Sequence, residues 1–141
     1  MRELPGDVFV TGQLTAEHIR LLAGQGVQSF INNRPASEAP GQPESDDLAE
    51  TAAEVGSAYA WLPMQGYLTP ELLAQNDELF ETLPRPIVAF CASGTRSAAL
   101  WAFAHARALG VDGVMKALDE ADFPLPQLRP QLAARQAISD G

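Results

Sequence analysis

Short apolar runs alternating with amphipathic helical stretches predict a single α/β domain over residues 1–141: a central, mostly parallel sheet of four to five strands flanked by helices on both faces. Three observations carry that prediction. Four brief apolar runs, Val8–Val10, Val27–Asn32, Ala58–Leu62 and Ile87–Phe90, are each followed by a segment long enough for a helix. Helix start and stop signals bracket those segments. The chain of 141 residues suits one domain that buries about two thirds of its unfolded surface.

The elements follow in order. Val8-Phe9-Val10 reads as a strand, and Thr15 caps a helix that runs through Glu17, Ile19, Leu21 and Leu22 to a stop at Gly24 and Gly26. Val27 to Asn32 is the next strand, with Val27, Phe30 and Ile31 apolar. Prolines and glycine between Pro35 and Pro43 exclude regular structure. Ser45 is expected to cap a second helix carrying Leu48, Ala49, Ala52 and Val55, ended by Gly56. After strand Ala58–Leu62, Thr69 as cap and Pro70 at the first helical position open a third helix. Its apolar face is Leu72, Leu73, Leu79, Phe80 and Leu83, and Pro84 and Pro86 stop it. Strand Ile87–Phe90 leads through a Cys91 loop into an Ala-rich helix from Ala98 to Leu109. With Leu100, Trp101 and Phe103, it is expected to be central and buried on most sides. Beyond Gly110 come a helix over Val114–Ala121, a turn at Asp122–Pro126 and a last helix from about Pro130. There are no internal repeats and no low-complexity linker.

Nine basic residues against eighteen acidic ones give a formal charge of −9. That balance argues against a surface built for nucleic acid or an anionic membrane. A small anionic substrate or phosphorylated ligand would need a local positive site, which singles out Arg96 and Arg34. One cysteine excludes an internal disulfide, and His18 and His105 beside it make no zinc-ligand set, so no metal or other cofactor is expected. The opening Met1–Gly6 lacks an apolar signal core, and no run approaches the ~20 apolar residues that span a bilayer. A cytoplasmic, reducing location is the expectation, and it would keep the thiol usable. Nothing in the pattern specifies an oligomeric state.

That thiol belongs to Cys91-Ala92-Ser93-Gly94-Thr95-Arg96-Ser97, between a strand and a helix. Such a loop turns several backbone N–H groups inward, and the helix adds its positive end, so the concavity favours negative charge. A free cysteine titrates near ~8.5, but at a helix N-terminus beside an arginine it falls to roughly 3.5–7.5. Gly94 allows close backbone approach or a positive φ. Arg96 offers a planar fork for two oxygens of a phosphate or sulfur oxyanion. Ser97, Thr95 and Ser93 add hydroxyl donors. A buried structural cysteine is the alternative, but Ser-Gly-Thr-Arg-Ser is an odd way to leave a core strand.

From Val8 to about Leu128 the chain resembles the bacterial phosphatase-like domain of beta-lactamase-hydrolase-like proteins. The stretches that carry the resemblance are Gly12-Gln13-Leu14-Thr15, Phe30-Ile31-Asn32-Asn33-Arg34-Pro35, Gly41-Gln42-Pro43 and Cys91 to Ser97. It implies a cysteine-phosphatase-like fold with the Cys loop between a strand and the central helix. It also implies Cys91 as nucleophile, Ala92, Ser93, Gly94 and Thr95 as an anion-binding loop, Arg96 as oxyanion holder and Ser97 as stabiliser of the departing thiolate. The same family is often labelled a sulfurtransferase. Four residues separate Cys91 from Arg96, one fewer than in cysteine phosphatases generally and the number that rhodanese-like loops use. The histidine that precedes the phosphatase cysteine is Phe90 here, and the second loop position is Ala92. Three readings stay open: a phosphohydrolase acting through phosphocysteine, a rhodanese-like sulfurtransferase acting through a Cys91 persulfide, and a non-catalytic module for phosphorylated ligands or a partner.

A phosphatase also wants an acid for the leaving oxygen, usually an aspartate on the loop that corresponds here to Pro63–Thr69. That stretch has no carboxylate. Glu71 and Asp77 are the nearest candidates, although an acid in the first turn of a helix, as Glu71 is, commonly serves the helix dipole. Arg34, after a strand end, either reaches the same crevice or pairs with Glu38. Tyr67 is a candidate for the pocket mouth. His105 is read as structural, His18 as a solvated helix residue, and Trp61 and Trp101 as core or partly buried packing.

Overall fold

Five strands form one sheet in the computed structural model, which describes residues 1–140 and their side chains as far as Arg135. They are β1 (Arg2–Leu4), β2 (Val8–Thr11), β3 (Ser29–Asn32), β4 (Ala58–Trp61) and β5 (Ile87–Phe90), ordered β1-β2-β5-β3-β4. β5 pairs in parallel with both β2 and β3, and β3 pairs in parallel with β4. Flanked on both edges and covered on both faces, β5 must be apolar throughout, and all four of its residues are buried.

Alternation along the strands sorts the core into two layers. Val88, Phe90 and Phe30 point to the face covered by helices α1 (Ala16–Gly24) and α2 (Ser45–Glu54), where they meet Ile19, Leu22, Leu48 and Ala52. Ile87, Ala89 and Ile31 point to the other face, under α3 (Pro70–Thr82), α4 (Thr95–Glu120) and α5 (Arg129–Asp140). Trp101 of α4 is fully buried there. Among the described residues, no helix is long and apolar enough to cross a membrane.

The sequence pattern missed β1, an antiparallel strand on β2. Three residues are too few to show alternation, and the return is made by successive positive-φ residues, Gly6 (φ 92°) and Asp7 (φ 58°). The two helices expected on either side of Gly110 are both present: α4 is interrupted at that residue, whose φ of 78° and ψ of 159° are not helical, and the two parts meet there at a kink. Caps at Thr15 and Thr69 are as read: their hydroxyls accept from the backbone N–H groups of His18 and Leu72. His18 is exposed, as expected, and also completes a reciprocal box, its Nδ1 accepting the Thr15 N–H at 3.1 Å. Ser45 does not cap α2. Its hydroxyl lies 2.8 Å from that of Tyr59, and Glu44 occupies the cap position without a side-chain bond.

Because β5 inserts between β2 and β3, the C-terminal ends of three parallel strands lie in register: Thr11 and Asn32 both face Phe90. The segments leaving those ends, at residues 12–13, 33–34 and 91–97, therefore share one edge of the sheet. Crevices at such reversals of strand order are where open α/β sheets bind ligands.

Candidate active site

Cys91 is the first residue past β5 and is 1% exposed, so its sulfur forms the floor of the loop. The Gly94 N–H donates to the sulfur at 3.1 Å. Burial pushes this thiol up. Backbone N–H groups of Ser97, Ser93, Gly94 and Arg96 act against it and win, so Cys91 titrates below the ordinary thiol value. Gly94, at φ 96°, is the N-cap of α4 and turns the loop into the helix. A methyl group there would sit 3.0 Å from the ring of Phe123 and 3.3 Å from the Thr11 carbonyl carbon. Gly12 braces the other side: a Cβ on it would lie 3.0 Å from the Ala92 carbonyl oxygen, which also accepts from the Gln13 N–H at 3.4 Å.

Arg96, in the first turn of α4, turns its outer nitrogens to Glu38: Nη1 donates to Oε2 and Nη2 to Oε1, each at 2.8 Å. Nη1 also donates to the Met64 carbonyl at 3.2 Å. The bond to Glu38, against a desolvation penalty and helped by the charges of Glu38 and of the Cys91 sulfur, holds the guanidinium above its usual range. Arg34 meets the same carboxylate, with Nε donating to Glu38 Oε1 at 3.0 Å. The expected pair of Arg34 with Glu38 forms, and it shares that carboxylate with Arg96. The Arg96 hydrogen bond lowers the Glu38 carboxyl from 4.5 to about 2, against a modest burial penalty and with help from Arg34. A carboxyl so acidic cannot serve as proton donor near neutral pH.

Ser97 is fully buried, and its hydroxyl donates to Asn33 Oδ1 at 2.8 Å. Asn33 in turn donates Nδ2 to the Leu62 carbonyl at 2.9 Å. Its one hydroxyl proton being engaged there, Ser97 reaches the sulfur through its backbone N–H. Ala92, Ser93 and Thr95 are exposed at the rim, with Ser93 Oγ 3.2 Å from Thr95 Oγ1.

The remaining candidates lie elsewhere. Tyr67, 78% exposed, and Glu71 line a groove with Pro63, Gln65 and Thr69 rather than the floor above Cys91. Asp77 pairs with Arg135 at 2.6 Å between α3 and α5. His105 stacks on Trp101 with centroids 5.0 Å apart and meets the Phe80 ring edge-on at 5.1 Å, a structural place in the core. Trp61 is 45% exposed rather than core, because it lies at the end of edge strand β4, and its Nε1 donates to the Arg34 carbonyl at 2.9 Å. Sequence reasoning missed Glu38 on Arg96 and Asn33 on Ser97. The available signal was proximity in the chain: Glu38 is four residues past Arg34, and Asn33 immediately precedes it.

Known proteins share this arrangement of chain. The sequence profile described as beta-lactamase hydrolase-like protein, phosphatase-like domain, matches residues 1–108. A beta-lactamase hydrolase-like protein of Agrobacterium fabrum is 31% identical over 116 residues, covering 81% of this chain but only 26% of the relative, so this chain spans about a quarter of that protein. Among solved structures, a candidate phosphatase from Neisseria meningitidis superposes with a TM-score of 0.79 at 24% identity, covering 93% of this chain and 94% of the other. The core catalytic domain of a PP-IP phosphatase from S. cerevisiae, in complex with citrate, superposes with a TM-score of 0.65 at 17% identity over 98% and 90% of the two chains. These superpositions establish the cysteine-phosphatase fold, and the match over residues 1–108 shows that the chain belongs to the beta-lactamase hydrolase-like protein, phosphatase-like domain family.

Proposed function

We propose that the chain is a cysteine-dependent phosphohydrolase for small anionic phosphate esters. The observation that carries this reading is the Cys91 sulfur at the start of α4, accepting the Gly94 N–H at 3.1 Å, with the loop amides together lowering its pKa against burial. The thiolate attacks phosphorus, the P–S bond forms, and the P–O bond to the leaving group breaks with its electron pair. The loop amides and the Arg96 guanidinium hold the equatorial oxygens, where charge spreads in the transition state. Water then attacks the phosphocysteine, the P–S bond breaks, and inorganic phosphate and the thiolate are regenerated. The thiolate leaves readily because the same amides stabilise it. With Glu38 held ionised and Glu71 in a separate groove, neither carboxyl is placed to protonate a leaving oxygen. Phenols are therefore the favoured leaving groups, and poor ones suffer a penalty on the order of 10²–10⁴ in rate. The superposing S. cerevisiae domain is in complex with citrate, a compact polyanion, which supports a small anionic ligand for this chain as well.

The missing acid and the four-residue spacing favour a second reading, sulfur transfer through a Cys91 persulfide. That step needs no proton donor: the thiolate takes the outer sulfur of thiosulfate, sulfite leaves, and cyanide removes the sulfur as thiocyanate. Parallel assays with an aryl phosphate and with thiosulfate plus cyanide, on wild type and Cys91→Ser, separate the two. Phosphate release lost in the variant, with an 80-dalton adduct in trapped wild-type protein as phosphoryl transfer requires, is the expected result. Thiocyanate without phosphate release would replace the first reading by the second. Silence in both assays would leave a phospho-ligand-binding module.

A further inference from the structure

Arg34 and Arg96 flank a single carboxylate. Glu38 Oε1 accepts from Arg34 Nε at 3.0 Å and from Arg96 Nη2 at 2.8 Å, while Oε2 accepts from Arg96 Nη1 at 2.8 Å. The three groups are held very differently. The Arg34 side chain is 12% exposed, and its Nη1 donates to Gln13 Oε1 at 3.1 Å. Its backbone is pinned as well, the N–H donating to Asn32 Oδ1 and the carbonyl accepting from Trp61 Nε1, both at 2.9 Å. Arg96 belongs to the first turn of α4 and is tied to the Met64 carbonyl. Glu38 sits instead on a segment whose residues 36–41 are all exposed, bonded to itself through Gln42: Oε1 accepts the Glu38 N–H and Nε2 donates to the Pro35 carbonyl. When Glu38 moves outward, Arg34 keeps its bond to Gln13 and Arg96 its bond to the Met64 carbonyl.

We infer that Arg34 and Arg96 form a second anion subsite beside the Cys91 cradle, closed by Glu38 in the free protein and opened by substrates whose second acidic group displaces that carboxylate. The inference rests on the phosphohydrolase reading of the same cradle and names its substrate class: phosphate esters bearing a further phosphate or carboxylate. The charge count supplies the selectivity. At rest, both guanidinium groups share the Glu38 carboxylate and Arg96 also feels the Cys91 thiolate, so two positive charges stand against two negative ones. A substrate with one phosphoryl group that displaces Glu38 satisfies Arg96 but strands Arg34, a largely buried cation without its partner, which is costly. A second acidic group restores that partner with charge-assisted bonds. At a net charge of −9 the surface as a whole repels polyanions, so discrimination in their favour must be local, and this pair supplies it.

The test is protection of Cys91 from iodoacetamide, read by mass, with inorganic phosphate and pyrophosphate as competing ligands. In wild type, pyrophosphate is expected to protect at a roughly tenfold lower concentration than phosphate. Arg34→Ala should bring that ratio to about one. Glu38→Gln, a near-isosteric change on an exposed loop, should lower the protecting concentration of both ligands by removing the competing charge. Equal protection by the two ligands in wild type, or a ratio unchanged in folded Arg34→Ala, would overturn the inference. So would weaker protection in Glu38→Gln, which would make Glu38 a brace for Arg96. Protection is independent of turnover, so a protein that shows the tenfold ratio yet releases no phosphate would retain the subsite and lose the hydrolase.

Discussion

The Glu38 carboxylate accepts from both outer nitrogens of Arg96 at 2.8 Å, across 58 positions of sequence. A bidentate pair of this kind fixes the plane of the guanidinium as well as its place. It also sets the acidity of Glu38, for which the Arg96 bond is the largest influence.

Glu38 therefore titrates near 2 instead of 4.5. With the folded value depressed, its stabilising contribution is complete above 4.5 and is lost as pH falls through about 2. The carboxyl carbon-13 shift of Glu38 is expected to stay flat on acidification through 4.5. A midpoint at the ordinary carboxylate value would mean that the pair does not form in solution.

Arg96→Lys keeps the charge and loses the fork. Hydrolysis of an aryl phosphate should fall on the order of 10²-fold in kcat/KM, because a lysine cannot present two parallel donors to a phosphoryl group. Steady-state kinetics at fixed ionic strength measure this, and an activity within a factor of about three of wild type would place the anion elsewhere.

The Cys91 thiol should react with iodoacetamide at pH values where a free thiol has already slowed, since its pKa is lowered by the loop amides. The sign carries over to stability. Ionised Cys91 favours the fold, fully so above the ordinary thiol value, and that advantage is lost as pH falls through the depressed one. Alkylation rates followed across pH, with Cys91→Ser as the unreactive control, report the midpoint directly.

Gly94→Ala meets two obstacles, a φ of 96° and contacts of 3.0 and 3.3 Å with Phe123 and Thr11. The left-handed backbone alone costs about 1–2 kcal/mol. Urea denaturation should show at least that loss, and hydrolysis should fall as the Gly94 N–H moves off the sulfur. Adding Phe123→Leu relieves one contact and should not restore the protein, because the backbone strain and the approach to Thr11 remain.

Ser97→Ala removes the donor to Asn33 Oδ1 inside the core. An unsatisfied buried acceptor costs about 1–3 kcal/mol, so the variant should be destabilised by that much in urea. Its initial alkylation rate at Cys91 should change less than in Gly94→Ala, since Ser97 reaches the sulfur through the main chain. A variant of unchanged stability would show that the Asn33 bond contributes nothing.

Short-range chemistry was readable before any fold was known. The four parallel strands follow from runs of apolar residues bounded by glycine and proline. The caps at Thr15 and Thr69 follow from side chains that can only reach their own helix. The Cys91 loop leading from a strand into a helix, with a backbone N–H on the sulfur, could be read because loop, sulfur and helix end are contiguous and their geometry is local. β1 was missed because three residues cannot display a period, and Ser45 was misassigned because Tyr59, distant in sequence, takes its hydroxyl.

The partners of the cradle lay beyond that reach. Neighbouring residues dictate local conformation through sterics and hydrogen bonds a few positions long, and these suffice for strands, helices and the Cys91 loop. Which charges meet depends on strand order: inserting β5 between β2 and β3 brings the ends of three strands to one edge. Only that closure sets Glu38 against Arg96 and Asn33 against Ser97, while the packing of the helices pairs Asp77 with Arg135 between α3 and α5. Electrostatic and hydrogen-bond energies fall off over a few ångströms of space irrespective of separation along the chain, so these pairings belong to the tertiary structure.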